Sequence, residues 1–79
     1  MIISDHAFDE MQNDGITEAE IEQCLRYGEL EIKQIVQGES RYGKKLELKD
    51  KTIMTIYAFQ GNEERIITVY VIRRKKWQS

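Results

Sequence analysis

One histidine, two groups of cations and four tyrosines are the side chains of this chain best suited to chemistry. His6, in "SDHAFDE", stands two residues past a serine that can cap a helix. An imidazole changes charge near neutral pH, so His6 is the first candidate for a proton-transfer group. A lone histidine at a helix start is also read as a solvated surface residue. "SRYGKK" sets Arg41, Lys44 and Lys45 close together, and "RRKKWQS" carries Arg73, Arg74, Lys75 and Lys76 ahead of Trp77. Cations neutralise phosphates and an indole stacks on a base, so both stretches are candidates for contact with a nucleic acid. The second has another reading, because "IITVYVI" is an aggregation-prone strand and flanking charge guards such strands.

Two familiar chemistries are excluded. "GESRYGKK" fits the spacing of a phosphate-binding loop, but Lys45 stands where Ser or Thr would hold magnesium, and a strand pattern follows where a helix is needed. A single cysteine, Cys24, rules out an internal disulfide, and the lack of a Cys/His cluster argues against zinc. No metal or cofactor is expected. A reducing, cytoplasmic setting is expected, without a membrane span, since the longest apolar run is far too short to cross a bilayer.

The elements that must position these residues are legible from periodicity. Ser4 caps a helix over about 4–14, with Ala7, Phe8 and Met11 on one stripe and Gly15 as its stop. Thr17 opens a second helix, about 17–27. Glu20 completes a capping box, and Ile16 can staple onto Ile21. The period then becomes twofold, giving strands near 29–37, 41–49, 52–59 and 65–72. Short connections between them predict an α+β domain: two N-terminal helices on one face of a four-stranded antiparallel meander. At 79 residues the chain is one domain of marginal size, so a partner or self-association, such as a homodimer, is expected.

Alternation divides the sheet. Leu46 and Leu48, then Met54, Ile56 and Ala58, then Ile67, Val69 and Val71 are expected beneath the helices, in one core with Phe8, Met11, Ile21 and Leu25. Parity assigns Arg41, Lys45 and Glu47, then Thr55, Tyr57 and Phe59, then Thr68 and Tyr70 to the outer face. Such Thr and Tyr pairs also stabilise sheets without any ligand. The net charge of −2 conceals a polar chain: residues 1–39 carry −8 and residues 40–79 carry +6. One half suits a cationic partner and the other an anion.

With "DHAFDEM" in the first helix, "NDGITEAEIEQCL" across the junction and "IITVYVI" in the last strand, the chain resembles a small uncharacterised family of the RelE/ParE-like toxin superfamily. Its members are similar to MqsR-like toxins paired with zinc-finger antitoxins. His6-Ala7 and Gly15-Ile16 match the family's short motifs, whereas Asp14 replaces a residue that is often basic. The resemblance implies a toxin of a toxin-antitoxin system, an endoribonuclease acting on RNA or at the ribosome, with an antitoxin protein as partner. Metal-free cleavage of RNA needs a base, an acid and fixed cations. His6 and Tyr70 or Tyr57 can move protons, Arg41 and Lys45 can hold the phosphate, and Lys44, Tyr57 and the basic tail can bind the strand. The alternative is a non-catalytic domain of the same fold that uses its outer face for a protein partner or a second copy.

Overall fold

The computed structural model describes residues 1–73. Arg74, Lys75, Lys76 and Trp77, expected to contact nucleic acid, lie outside the described residues. The order of elements is β1 (Ile2–Ile3), α1 (Asp5–Asp14), α2 (Glu18–Tyr27), β2 (Glu29–Val36), β3 (Glu39–Glu47), β4 (Thr52–Gln60) and β5 (Glu63–Ile72). The α+β architecture is as expected, with one addition. β1 joins the sheet parallel to β5, so the spatial order is β1-β5-β4-β3-β2, while the other pairs are antiparallel.

Local chemistry explains both helices. The Ser4 hydroxyl accepts from the Ala7 amide at 3.1 Å, and Gly15 ends α1 at φ 66°, a conformation open to glycine at little cost. The capping box of α2 is complete: Glu20 N–H donates to Thr17 Oγ1 at 3.1 Å, and Thr17 N–H donates to Glu20 Oε1 at 2.9 Å. Gly28 ends α2 for a different reason. Its φ is −69°, but a Cβ there would lie 2.3 Å from the Cys24 carbonyl oxygen and 3.0 Å from that of Lys45. Close backbone approach, not a left-handed turn, requires the glycine.

The two helices divide the sheet between them: α1 packs on β5, and α2 packs on β3 and β4. Their shared core holds Ala7, Met11, Ile16, Ile21 and Cys24 from the helical segment, with Ile53, Tyr57, Ile66 and Val69 from the strands. Leu25, Leu46 and Val71 pack against it half-buried. Phe8, expected in this core, is 52% exposed.

The phase of β4 is the reverse of the expected one. Register pairs Ile53 with Leu46 and Val71, so Ile53, Thr55 and Tyr57 face the helices while Met54, Ile56 and Ala58 face away. The cause is position: β4 is the central strand and is buried on both sides, so its two alternating sets are both largely apolar. On β5 a bulge moves the helix-facing residue from Ile67 to Ile66, which lies opposite Tyr57. The start of α1 is anchored at this irregularity, where the Ser4 amide donates to Ile66 O at 3.2 Å and its hydroxyl donates to Ile67 O at 3.1 Å.

Candidate functional site

The face of the sheet turned away from the helices carries Arg41 and Lys45 on β3, and Arg65, Thr68 and Tyr70 on β5. Register sets Lys45, Met54 and Tyr70 side by side across three strands, with Met54 buried between a cation and a phenol. Further along, Ala58 pairs with Arg65 and is wholly buried. Glu39 unites the two arginines there: Arg41 Nε donates to its Oε1 at 3.1 Å, and Arg65 Nη2 donates to both carboxylate oxygens at 2.9 Å. All three side chains are about one-third exposed. Arg41 and Lys45 are four residue steps apart along β3, roughly 13 Å at the usual strand rise.

Lys45 pairs with Glu31 at 2.9 Å. The hydrogen bond that Lys45 donates to Glu31, followed by the charges of Glu31, Glu29 and Glu47, raises the Lys45 pKa. This lysine is therefore held in its charged form. Between the two cationic ends the floor is apolar and close-fitted. Ile32 and Ile56 converge on Gly43, where a Cβ would come within 2.8 Å of Ile32 Cβ and 2.9 Å of Ile56 Cδ1.

The remaining candidates lie elsewhere. His6 sits on α1, the layer opposite Arg41, Lys45 and Tyr70; its side chain is 67% exposed, with Nε2 3.1 Å from Glu10 Oε1 one turn on. Lys44 points the other way from Lys45. Its Nζ donates to Leu25 O at 2.6 Å, satisfying a carbonyl in the last turn of α2, and lies 5.9 Å from the centre of the Tyr57 ring. Tyr57, expected on the outer face, is instead 5% exposed on the helix side, within an aromatic trio. Its ring lies 5.6 Å from Tyr42 and 5.8 Å from Phe59. Burial first, then the charge of Glu64, raises the Tyr57 pKa, so its phenol stays protonated. Arg73 is exposed beside the β3–β4 turn, on an open cleft that also includes Leu48, Asp50 and Val71.

Arg65 and Glu39 are residues of this candidate face that sequence reasoning missed. Arg65 lies just before the bulge, where simple alternation fails, and Glu39 sits at the hairpin turn, where parity has hardly begun. The helix side is electrostatically different. A groove of about 400 Å³ there is lined by Glu18, Glu22 and Glu64 together with Met1, Leu25 and Arg26. Burial raises the pKa of Cys24, which donates to Lys44 O at 3.2 Å and is a packing residue, not a nucleophile. Among the described residues no three His, Cys, Asp or Glu side chains come together as metal ligands, and no helix is long and apolar enough to cross a membrane.

Residues 3–71 match the model of a family described as a domain of unknown function, DUF4258, and the chain belongs to that family. Comparison with curated proteins and with solved structures gave no match.

Proposed function

We propose that this DUF4258 protein is a toxin-like RNA-binding domain of the RelE/ParE-like kind, gripping a phosphate backbone on the face of the sheet left bare by the helices. The observation that carries the reading is the gathering of Arg41, Arg65, Lys45 and Tyr70 on that one face, although they come from two strands far apart in sequence. Each cation is held by a partly exposed carboxylate, and such pairs contribute little, typically about 0–1 kcal/mol. A phosphate can take the place of Glu39 between the two arginines, or of Glu31 on Lys45, with stronger charge-assisted bonds.

If the domain cuts the strand, the chemistry is metal-independent transesterification. The 2′-oxygen bonds to phosphorus as the bond to the 5′-oxygen breaks: protonated Lys45 offsets the charge developing on that phosphate, Tyr70 beside it is the proton-transfer group, and Arg41 and Arg65, roughly 13 Å along the face, hold another phosphate of the same strand. His6 has no part in this arrangement. The reading carries with it an antitoxin protein as partner and action on RNA or at the ribosome in the cytoplasm.

The test is binding and cleavage of single-stranded RNA by the full chain. Arg41→Ala with Arg65→Ala should weaken binding and flatten its dependence on salt, since each lost phosphate contact releases one counterion fewer. Lys45→Ala and Tyr70→Phe should lower cleavage by about 10²-fold or more, and His6→Ala should leave both activities unchanged. A wild-type protein that neither binds nor cuts RNA at low salt overturns the reading.

A second reading rests on the centre of the same face. Ile32 and Ile56 over Gly43 form an apolar patch between neutralised cations, which suits a protein partner and needs no catalysis. It predicts that Ile56→Asp abolishes partner binding while the arginine variants change it little.

A further inference from the structure

The two edges of the sheet are unequal. One ends in β1, two residues long, beside β5 and the α1 that packs on it; the other is β2, an eight-residue strand that makes no extensive contact with either helix. β2 is guarded only in its first half. Glu29 and Glu31 are exposed there, and a bulge between Leu30 and Ile32 breaks the ladder, both familiar means of blunting an edge. The second half, Ile32 to Val36, is regular, carries one charge at Lys33, and holds Ile35, which is 75% exposed.

The hairpin fixes which groups this edge offers. Gln37 and Gly38 have φ of 51° and 78°, the pattern of a two-residue type I′ turn, so Val36 and Glu39 exchange backbone hydrogen bonds. Gln34 with Arg41 and Ile32 with Gly43 do the same by alternation, which leaves the N–H and C=O groups of Lys33 and Ile35 pointing away from the sheet. These outward groups are self-complementary about Gln34. In a twofold antiparallel pairing centred there, Lys33 lies opposite Ile35 of a second copy and Ile35 opposite its Lys33, completing four backbone hydrogen bonds.

The side chains agree with this register. Ile32 meets Val36 of the second copy on the outer face, and the stem of each Lys33 covers an Ile35 on the helix side. A register centred on Lys33 would instead oppose like charges, and one centred on Ile35 would pair Lys33 with Gln37 in the turn.

We propose that two copies of this chain join through their β2 edges, antiparallel and centred on Gln34, to form one continuous ten-stranded sheet. The pairing leaves Arg41, Lys45, Arg65 and Tyr70 uncovered, so it stands or falls apart from any RNA activity.

Sedimentation equilibrium of the full chain tests it. The wild type should have twice the chain mass, and Ile35→Lys should halve it at the same concentration. Because Ile35 is so exposed, this variant should keep the circular dichroism of the wild type. Gln34→Cys, whose α-carbons across a non-hydrogen-bonded pair stand about 4.5 Å apart, should oxidise to a disulfide-linked dimer, whereas Lys33→Cys should not. Buried Cys24 should contribute no cross-link. A wild type that stays monomeric up to its solubility limit, a dimer that survives Ile35→Lys, or cross-linking through Lys33→Cys in place of Gln34→Cys overturns the proposal.

Discussion

Lys44 and Lys45 are neighbours in sequence and belong to different regions of the molecule. Lys44, on the helix side, is tied to the Leu25 carbonyl at the end of α2 and lies over the Tyr57 ring. Lys45, on the bare face, is held by one partly exposed carboxylate. The same contrast separates whole faces. Beneath the helices, polar groups serve the fold: Ser4 ties α1 to the β5 bulge, and Cys24 ties α2 to β3. On the bare face, the cations have carboxylate partners that another anion can replace. The partner that holds each cation, a helix-end carbonyl for Lys44 and a partly exposed carboxylate for Lys45, separates the two more than residue type does.

The sharpest way to break this comparison is to cut the same side chain on each face. Ile53 is fully buried beneath the helices, and Ile53→Ala should remove about 2–5 kcal/mol, enough to prevent folding in a domain of this size. Ile56 is half-buried on the bare face, and Ile56→Ala should remove about half as much by the same cavity argument. Denaturant unfolding of the two variants measures the difference. Equal losses would mean that the bare face is covered in solution.

A smaller effect contrasts two glycines. Gly28 faces backbone carbonyls that cannot move away without opening the end of α2, so Gly28→Ala should cost about 2–3 kcal/mol. Gly43 faces the side chains of Ile32 and Ile56. Gly43→Ala should cost less, about 1–2 kcal/mol, and Ile56→Val should restore part of it by removing the obstructing Cδ1. No such rescue exists for Gly28→Ala, and thermal melts of the single and double variants should show it.

Legibility followed the same division. The helices were readable because their signals are local: Ser4, Gly15, Thr17 and Glu20 each act within a turn of their own position. β3 was also readable, since its alternation of Lys45 with Leu46 and Glu47 has a polar side. β4 was not, because a strand buried on both faces has no polar side to mark it; Met54, Ile56 and Ala58 are together more apolar than Ile53, Thr55 and Tyr57. Thr55 was the least predictable, with a buried hydroxyl that has no hydrogen-bond partner among the described residues. The pairing of Glu39 with Arg41 and Arg65 depends on register across three strands and on a bulge, neither of which is written in any single segment. Lys44 and Lys45 could not be told apart as cations until the end of α2 was located.

The smallest effects concern pH, and they set the capping carboxylate of the helix side against the lysine of the bare face. For Glu20, partial burial acts to raise the pKa, but it is outweighed by the Thr17 amide and the Lys51 ammonium, which lies 3.0 Å away, so the net shift is downward. A carboxylate lowered in the folded state stabilises the fold above its unfolded pKa and loses that contribution as the pH falls through its folded value. Glu20→Gln should therefore make stability less sensitive to acid, by under about 1 kcal/mol given its exposure to solvent. Lys45 works at the other end of the scale. Glu31, and then the charges of Glu29 and Glu47, raise its folded pKa, so its contribution is complete below the unfolded lysine pKa and disappears as the pH rises through the folded value. Lys45→Met should flatten the alkaline limb of a stability profile and leave the acid limb to Glu20. Urea unfolding across the pH range reads both limbs at once, and a Lys45→Met protein whose alkaline limb matches the wild type would mean that the Glu31 pair does not persist in solution.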